Sequence, residues 1–93
     1  MSKMRIVVIA EVEDPVTWEE NFRTHGDLFR KQTVNKPIDF GIKGNQVAVC
    51  FRPKDFDKFM EIFESDATGE AMKQDGVKRE TAQVFVLDKR FEP

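Results

Sequence analysis

Between Met4 and Val12 the chain reads Met-Arg-Ile-Val-Val-Ile-Ala-Glu-Val, a β-branched run that predicts a strand with two apolar faces. Successive side chains of a strand point to opposite sides, so Ile6, Val8, Ala10 and Val12 face one way and Val7 and Ile9 the other. One layer of helices covers only one side of a sheet, so a fold built on this strand needs a second cover. The last segment poses the same demand. Over Arg79 to Phe91, Thr81, Gln83, Phe85 and Leu87 share one face while Ala82, Val84 and Val86 share the other.

Between these strands the apolar period changes in an orderly way. Asp14-Pro15 supplies a cap residue followed by proline at the first helical position. Trp18, Phe22, His25 and Phe29 then fall at i, i+4, i+7 and i+11, which predicts a helix to about Lys31 with the chain's only histidine in its aromatic stripe. Gly26 inside it costs about 1 kcal/mol relative to alanine and marks a bend or a close backbone approach. Pro37 excludes helix nearby, Ile38 to Ile42 alternates as a strand, and Lys43-Gly44-Asn45 makes a turn. Gln46 to Phe51 returns antiparallel, with Val47, Val49 and Phe51 on one face, and Pro53 ends it. Phe56, Phe59, Met60 and Phe63 predict a second amphipathic helix. Ser65-Asp66 opens a short extra helix over Ala67 to Gln74, closed by Asp75-Gly76, and Val77 begins the exit strand.

The order is βαββαβ. With short, right-handed connections it gives an α+β, ferredoxin-like fold, a four-stranded antiparallel sheet with both main helices on one face, in a single domain spanning 1–93. The two-sided strands leave a second apolar sheet surface, too large for a monomer, so a homodimer stacked sheet on sheet is expected.

Composition narrows the function classes. A chain of 93 residues, 40% hydrophobic and 34% charged, has room for one globular domain. Its formal charge of -2, with both signs interspersed, gives no basic field for nucleic acid or an anionic membrane. The single Cys50 excludes an intramolecular disulfide framework and suits a reducing cytoplasm. The opening apolar run ends at Ala10, too short for a signal peptide or a membrane span. A soluble, cytoplasmic protein is expected.

His25 is the candidate catalytic residue, because an imidazole with a reference pKa of about 6.5 can take a proton or orient a hydroxyl near neutral pH. Trp18, Asn21, Phe22, Phe29, Phe40 and Phe51 are the candidate ligand contacts. The competing reading makes the aromatics ordinary core and has His25 hydrogen-bonding a backbone carbonyl at the helix–sheet boundary. One Cys and one His cannot build a tetrahedral metal site, and no cofactor is expected. An RNA-recognition module would need rings where Asn45 and Val47 stand. An acylphosphatase would need a glycine-rich loop and an arginine after the first strand. An amino-acid-sensing regulatory domain stays open, although Glu13-Asp14-Pro15 replaces its usual glycine.

Trp18 to His25, Gly41-Ile42-Lys43-Gly44-Asn45, Phe56 to Phe63 and Gly76-Val77, in this order of elements, resemble the dimeric α/β-barrel superfamily and its antibiotic-biosynthesis-monooxygenase-like members. The resemblance implies two sheets facing each other as a barrel, with a pocket between sheet and helices of each subunit. It implies a cofactor-independent, monooxygenase-like activity on a planar aromatic or polyketide-like molecule, with His25 as general base or orienting group. Haem-degrading enzymes, chlorite dismutase-like proteins and muconolactone isomerases share that superfamily. A non-catalytic dimer that binds a metabolite or another protein is therefore the alternative.

Overall fold

In the computed structural model, which describes residues 5–31 and 33–93, the β-branched opening forms β1 (Arg5–Val12) and buries every second side chain. Ile6 and Val12 are fully buried, and Val8 and Ala10 nearly so. Met4, expected to start this strand, lies outside the described residues, as does the rest of 1–4. The elements that follow are α1 (Pro15–Phe22), α2 (Gly26–Lys31), β2 (Val34–Lys43), β3 (Gln46–Pro53), α3 (Phe56–Phe63), α4 (Asp66–Gln74) and β4 (Val77–Leu87).

The strands make one antiparallel sheet in the order β2-β3-β1-β4, as the ferredoxin-like arrangement requires. Ile6 pairs with Phe51 and Val86, and Val8 with Val49 and Val84, so these side chains share the face that the helices cover. Trp18 and Phe22 of α1 and Phe59 of α3 are buried against it. Three side-chain caps start the helices. Asp14 accepts from the Val16 N–H at 3.0 Å, Asp55 from Lys58 N–H at 3.1 Å and Ser65 from Thr68 N–H at 3.4 Å.

Three local expectations need correction. The helix expected over 15–31 is two helices, broken at Arg23–His25. Thr24 takes the Asn21 carbonyl with both its N–H (2.9 Å) and its hydroxyl (2.6 Å), which withdraws that acceptor from a continuing helical ladder, and Gly26 adds no helix propensity to resist the break. Strand β2 starts at Val34 and runs through Pro37, because it lies at the sheet edge, where a missing N–H is tolerated; its register with β3 shifts between Asn35 and Asp39. The final strand stops at Leu87, opposite Arg5, and the charged run Asp88-Lys89-Arg90 continues without regular structure.

Among the described residues, no helix covers the opposite face of the sheet. Val7, Ile9, Ala48 and Cys50 lie half-buried along its centre, and Phe85 and Leu87 are 46% and 48% exposed. Gly41, next to Ala48 across the ladder, leaves a shallow dent beside these bulkier groups. None of the helices described is long and apolar enough to cross a membrane.

Candidate functional site

The break between α1 and α2 sets the position of His25. Its N–H donates to the Phe22 carbonyl at 3.1 Å and its own carbonyl accepts from Phe29 N–H at 3.2 Å, so the residue hinges the two helices and is not inside either. From there its ring lines a cavity of about 80 Å³ between sheet and helices. Val8, Val47, Val49 and Phe51 form the sheet side of this cavity. Trp18, Phe22 and Phe29 form the near helical wall, and Ala71, Met72 and Asp75 close it from α4.

The aromatic wall is continuous. Trp18 stacks on Phe22 with centroids 4.7 Å apart, Phe22 meets Phe29 at 5.2 Å, and Phe29 meets Phe51 at 5.6 Å. Such pairs fix ring orientation beyond what burial alone does. Of the expected ligand contacts, Trp18, Phe22, Phe29 and Phe51 therefore surround one space. Phe40 does not line it but backs the wall, edge-on to Trp18 at 5.6 Å and Phe22 at 5.1 Å, with the Arg23 guanidinium 5.2 Å from the centroid of the Phe40 ring. Asn21 also lies outside the lining; its backbone carbonyl closes the turn with Thr24.

The one polar pair in this apolar setting is His25 with Asp75. Nε2 of His25 lies 2.8 Å from Oδ2 of Asp75, whose residue is only 6% exposed. The partner is thus a side-chain carboxylate and not the backbone carbonyl of the competing reading. An ionised carboxylate can only accept, so Nε2 carries the hydrogen, and in the neutral ring Nδ1 is then the free acceptor. No partner of Nδ1 is found among the described residues. Burial pushes the Asp75 carboxyl up from its ordinary 3.8, against the opposing pull of the His25 hydrogen bond and charge.

Asp75 was read in the sequence as no more than a helix stop. It is the C-cap of α4, where its N–H donates to the Ala71 carbonyl at 3.0 Å. A carboxylate at the negative end of a helix dipole is unfavourable without a cation or donor nearby, and that was the available signal. Thr68 carries no such signal: it is buried and borders the cavity, but its hydroxyl donates to the Ile62 carbonyl at 2.5 Å and is not free for a ligand. Among the described residues, no three His, Cys, Asp or Glu side chains gather as a metal site.

No protein-family model matches this chain, and no curated protein matches it in sequence. Solved structures do match in shape. A candidate antibiotic biosynthesis monooxygenase from Bordetella bronchiseptica superposes with a TM-score of 0.73 at 13% identity, covering 95% of this chain and 97% of that one. The chain has the ferredoxin-like fold of the antibiotic biosynthesis monooxygenases. SnoaB, a cofactor-independent oxygenase from Streptomyces nogalater, shares this ferredoxin-like fold at a TM-score of 0.69 and 16% identity, over 96% of this chain and 94% of its own. The ActVA-Orf6 monooxygenase of Streptomyces coelicolor, solved with nanaomycin D, shares it at 0.62 and 13%, over 98% and 90%. At such identities the likeness is one of fold.

Proposed function

We propose that the protein binds a small, flat, apolar molecule between sheet and helices and acts on it by proton abstraction, in the manner of a cofactor-independent monooxygenase. The observation that carries this reading is the single His25–Asp75 pair set into an otherwise apolar, aromatic-walled cavity. His25 is the general base: Nδ1 takes a proton from a ligand O–H, the electron pair stays on the ligand oxygen, and Asp75 compensates the imidazolium that forms. An electron-rich anion of that kind is what dioxygen can oxidise without a cofactor. Trp18, Phe22, Phe29 and Phe51 hold the ring flat; Asn21 and Phe40 support the wall and touch no ligand.

Size limits the ligand. Pockets for drug-sized molecules measure roughly 300 to 1,000 Å³, and an apolar cavity that holds benzene measures about 150 Å³. The cavity of about 80 Å³ therefore takes at most one ring, and only if a wall yields. A polyketide-like substrate does not fit it. The yielding wall is α2, six residues with no buried side chain, hinged at His25.

The uncovered sheet face supports a homodimer. Bulk at Phe85 and Leu87 lies on one side of the central strands and the dent at Gly41 and Ala48 on the other, the arrangement of knob and hollow that a twofold, self-complementary contact uses. A reducing cytoplasm suits the free Cys50 on that face.

Titration with phenol and with toluene tests the site, because the two rings differ by one hydroxyl. Phenol should bind about tenfold tighter, the equivalent of one hydrogen bond. His25→Ala should abolish that preference while toluene still binds, and Ala71→Phe should exclude both. Failure of both rings to bind the wild-type chain would overturn the proposal.

A further inference from the structure

A second and larger concavity, about 660 Å³, opens between α4 and β4, and of its lining residues only Val77 also borders the His25 cavity. Three features of the backbone shape it. Gly69 occupies the middle of α4, where alanine would favour the helix, and a Cβ there would overlap Nη1 of Arg79, whose guanidinium lies against that turn. Strand β4 bulges beside it: Ile9 pairs with Gln83 but Glu11 with Lys78, so two steps along β1 answer five along β4. The bulge is held by the Thr81 hydroxyl, which accepts from Glu11 N–H at 2.9 Å and donates to the Lys78 carbonyl at 2.6 Å. At the groove's end Gly76 adopts a φ of +76°, and its carbonyl accepts from Glu13 N–H at 2.9 Å.

The charges in this groove are unspent. Glu13, Asp66, Glu70 and Glu80 border the same space as Lys73, Lys78 and Arg79, and none of these forms an ion pair among the described residues. A guanidinium presents a planar fork that matches a carboxylate in two parallel hydrogen bonds. The lining thus offers both signs within one groove, and a molecule carrying both charges meets each with its opposite. The groove's volume lies within the range of small-molecule sites. We propose that it binds a small zwitterion, an α-amino acid or the ends of a short peptide, with the ligand carboxylate on Arg79 and its ammonium on the acidic rim.

The test follows backbone amide NMR shifts of the full chain on titration with L-alanine, with alanyl-alanine, and with N-acetylalanine methyl ester, which lacks both charges. Shifts at Gly69, Lys78 and Arg79 with either charged probe support the site, and the stronger binder tells a single amino acid from a peptide. Gly69→Ala separates binding from folding: it should raise the melting midpoint by about 4 to 8 °C while weakening binding at least about tenfold, because the added methyl displaces Arg79. Arg79→Gln should weaken binding equally. Absence of shifts at those amides with both charged probes, equal shifts with the uncharged ester, or undiminished binding in Gly69→Ala would overturn the proposal.

Discussion

His25 Nε2 and Asp75 Oδ2 stand 2.8 Å apart although fifty residues separate them in the chain. The contact ties the hinge between α1 and α2 to the end of α4, so one hydrogen bond holds the imidazole at the cavity and links the elements on either side of it.

Asp75 makes stability depend on acid pH in an unusual direction. Its carboxyl is raised above 3.8 in the folded chain, so between 3.8 and that higher value the folded state holds a proton that the unfolded state has released. The Asp75 contribution therefore favours folding at the acid end of this interval and is lost as pH rises through the folded value. Asp75→Asn should remove that slope. Urea midpoints measured from the ordinary carboxylate value upward should fall with pH in the wild type relative to the variant.

His25→Ala leaves a buried acceptor without its donor, which costs about 1 to 3 kcal/mol. His25→Gln, which can still donate, should recover part of that loss. Chemical denaturation at neutral pH distinguishes them, and equal stability of the two variants would show that the hydrogen bond contributes nothing.

Phe59 is fully buried, with its ring 5.2 Å from Phe51 and 5.8 Å from Phe63. Phe59→Ala should cost about 3 to 5 kcal/mol, a large share of the stability of a domain this small. Circular dichroism melts should show a chain mostly unfolded at or slightly above physiological temperature.

Phe85→Glu places a charge on the open sheet face and touches nothing under the helices. The variant should keep its far-ultraviolet spectrum and elute as a monomer at micromolar concentration where the wild type elutes as a dimer. A wild-type monomer at that concentration would remove the dimer.

Gly44 opens the β2–β3 turn at a φ of +61°, the left-handed region that a Cβ disfavours. Gly44→Ala should cost about 1 to 2 kcal/mol with no change at the cavity, read as a lower urea midpoint with an unaltered phenol affinity.

The strands and most caps were legible because they follow short-range rules. Alternation placed Ile6, Val8, Val47, Val49 and Phe51 on one face, and Asp14-Pro15 and Ser65-Asp66 started helices where capping chemistry says they should. The aromatic wall was legible in the same way, since Trp18 and Phe22 one turn apart must share a side. The helix break was half legible: Gly26 marked the place, but the Thr24 grip on the Asn21 carbonyl competed with the helix more strongly than the periodic spacing suggested.

What the sequence determined by itself, then, is the order of elements and the apolar face of each, because those depend on backbone periodicity and residues a few positions apart. Only the tertiary structure decided that Asp75 meets His25, that Phe40 stands behind the wall and not in it, and that Arg79 lies over Gly69. Those contacts join separate elements, and their geometry depends on how the packed helices and the bulged edge strand sit against the sheet, a sum of small packing energies that no local pattern encodes.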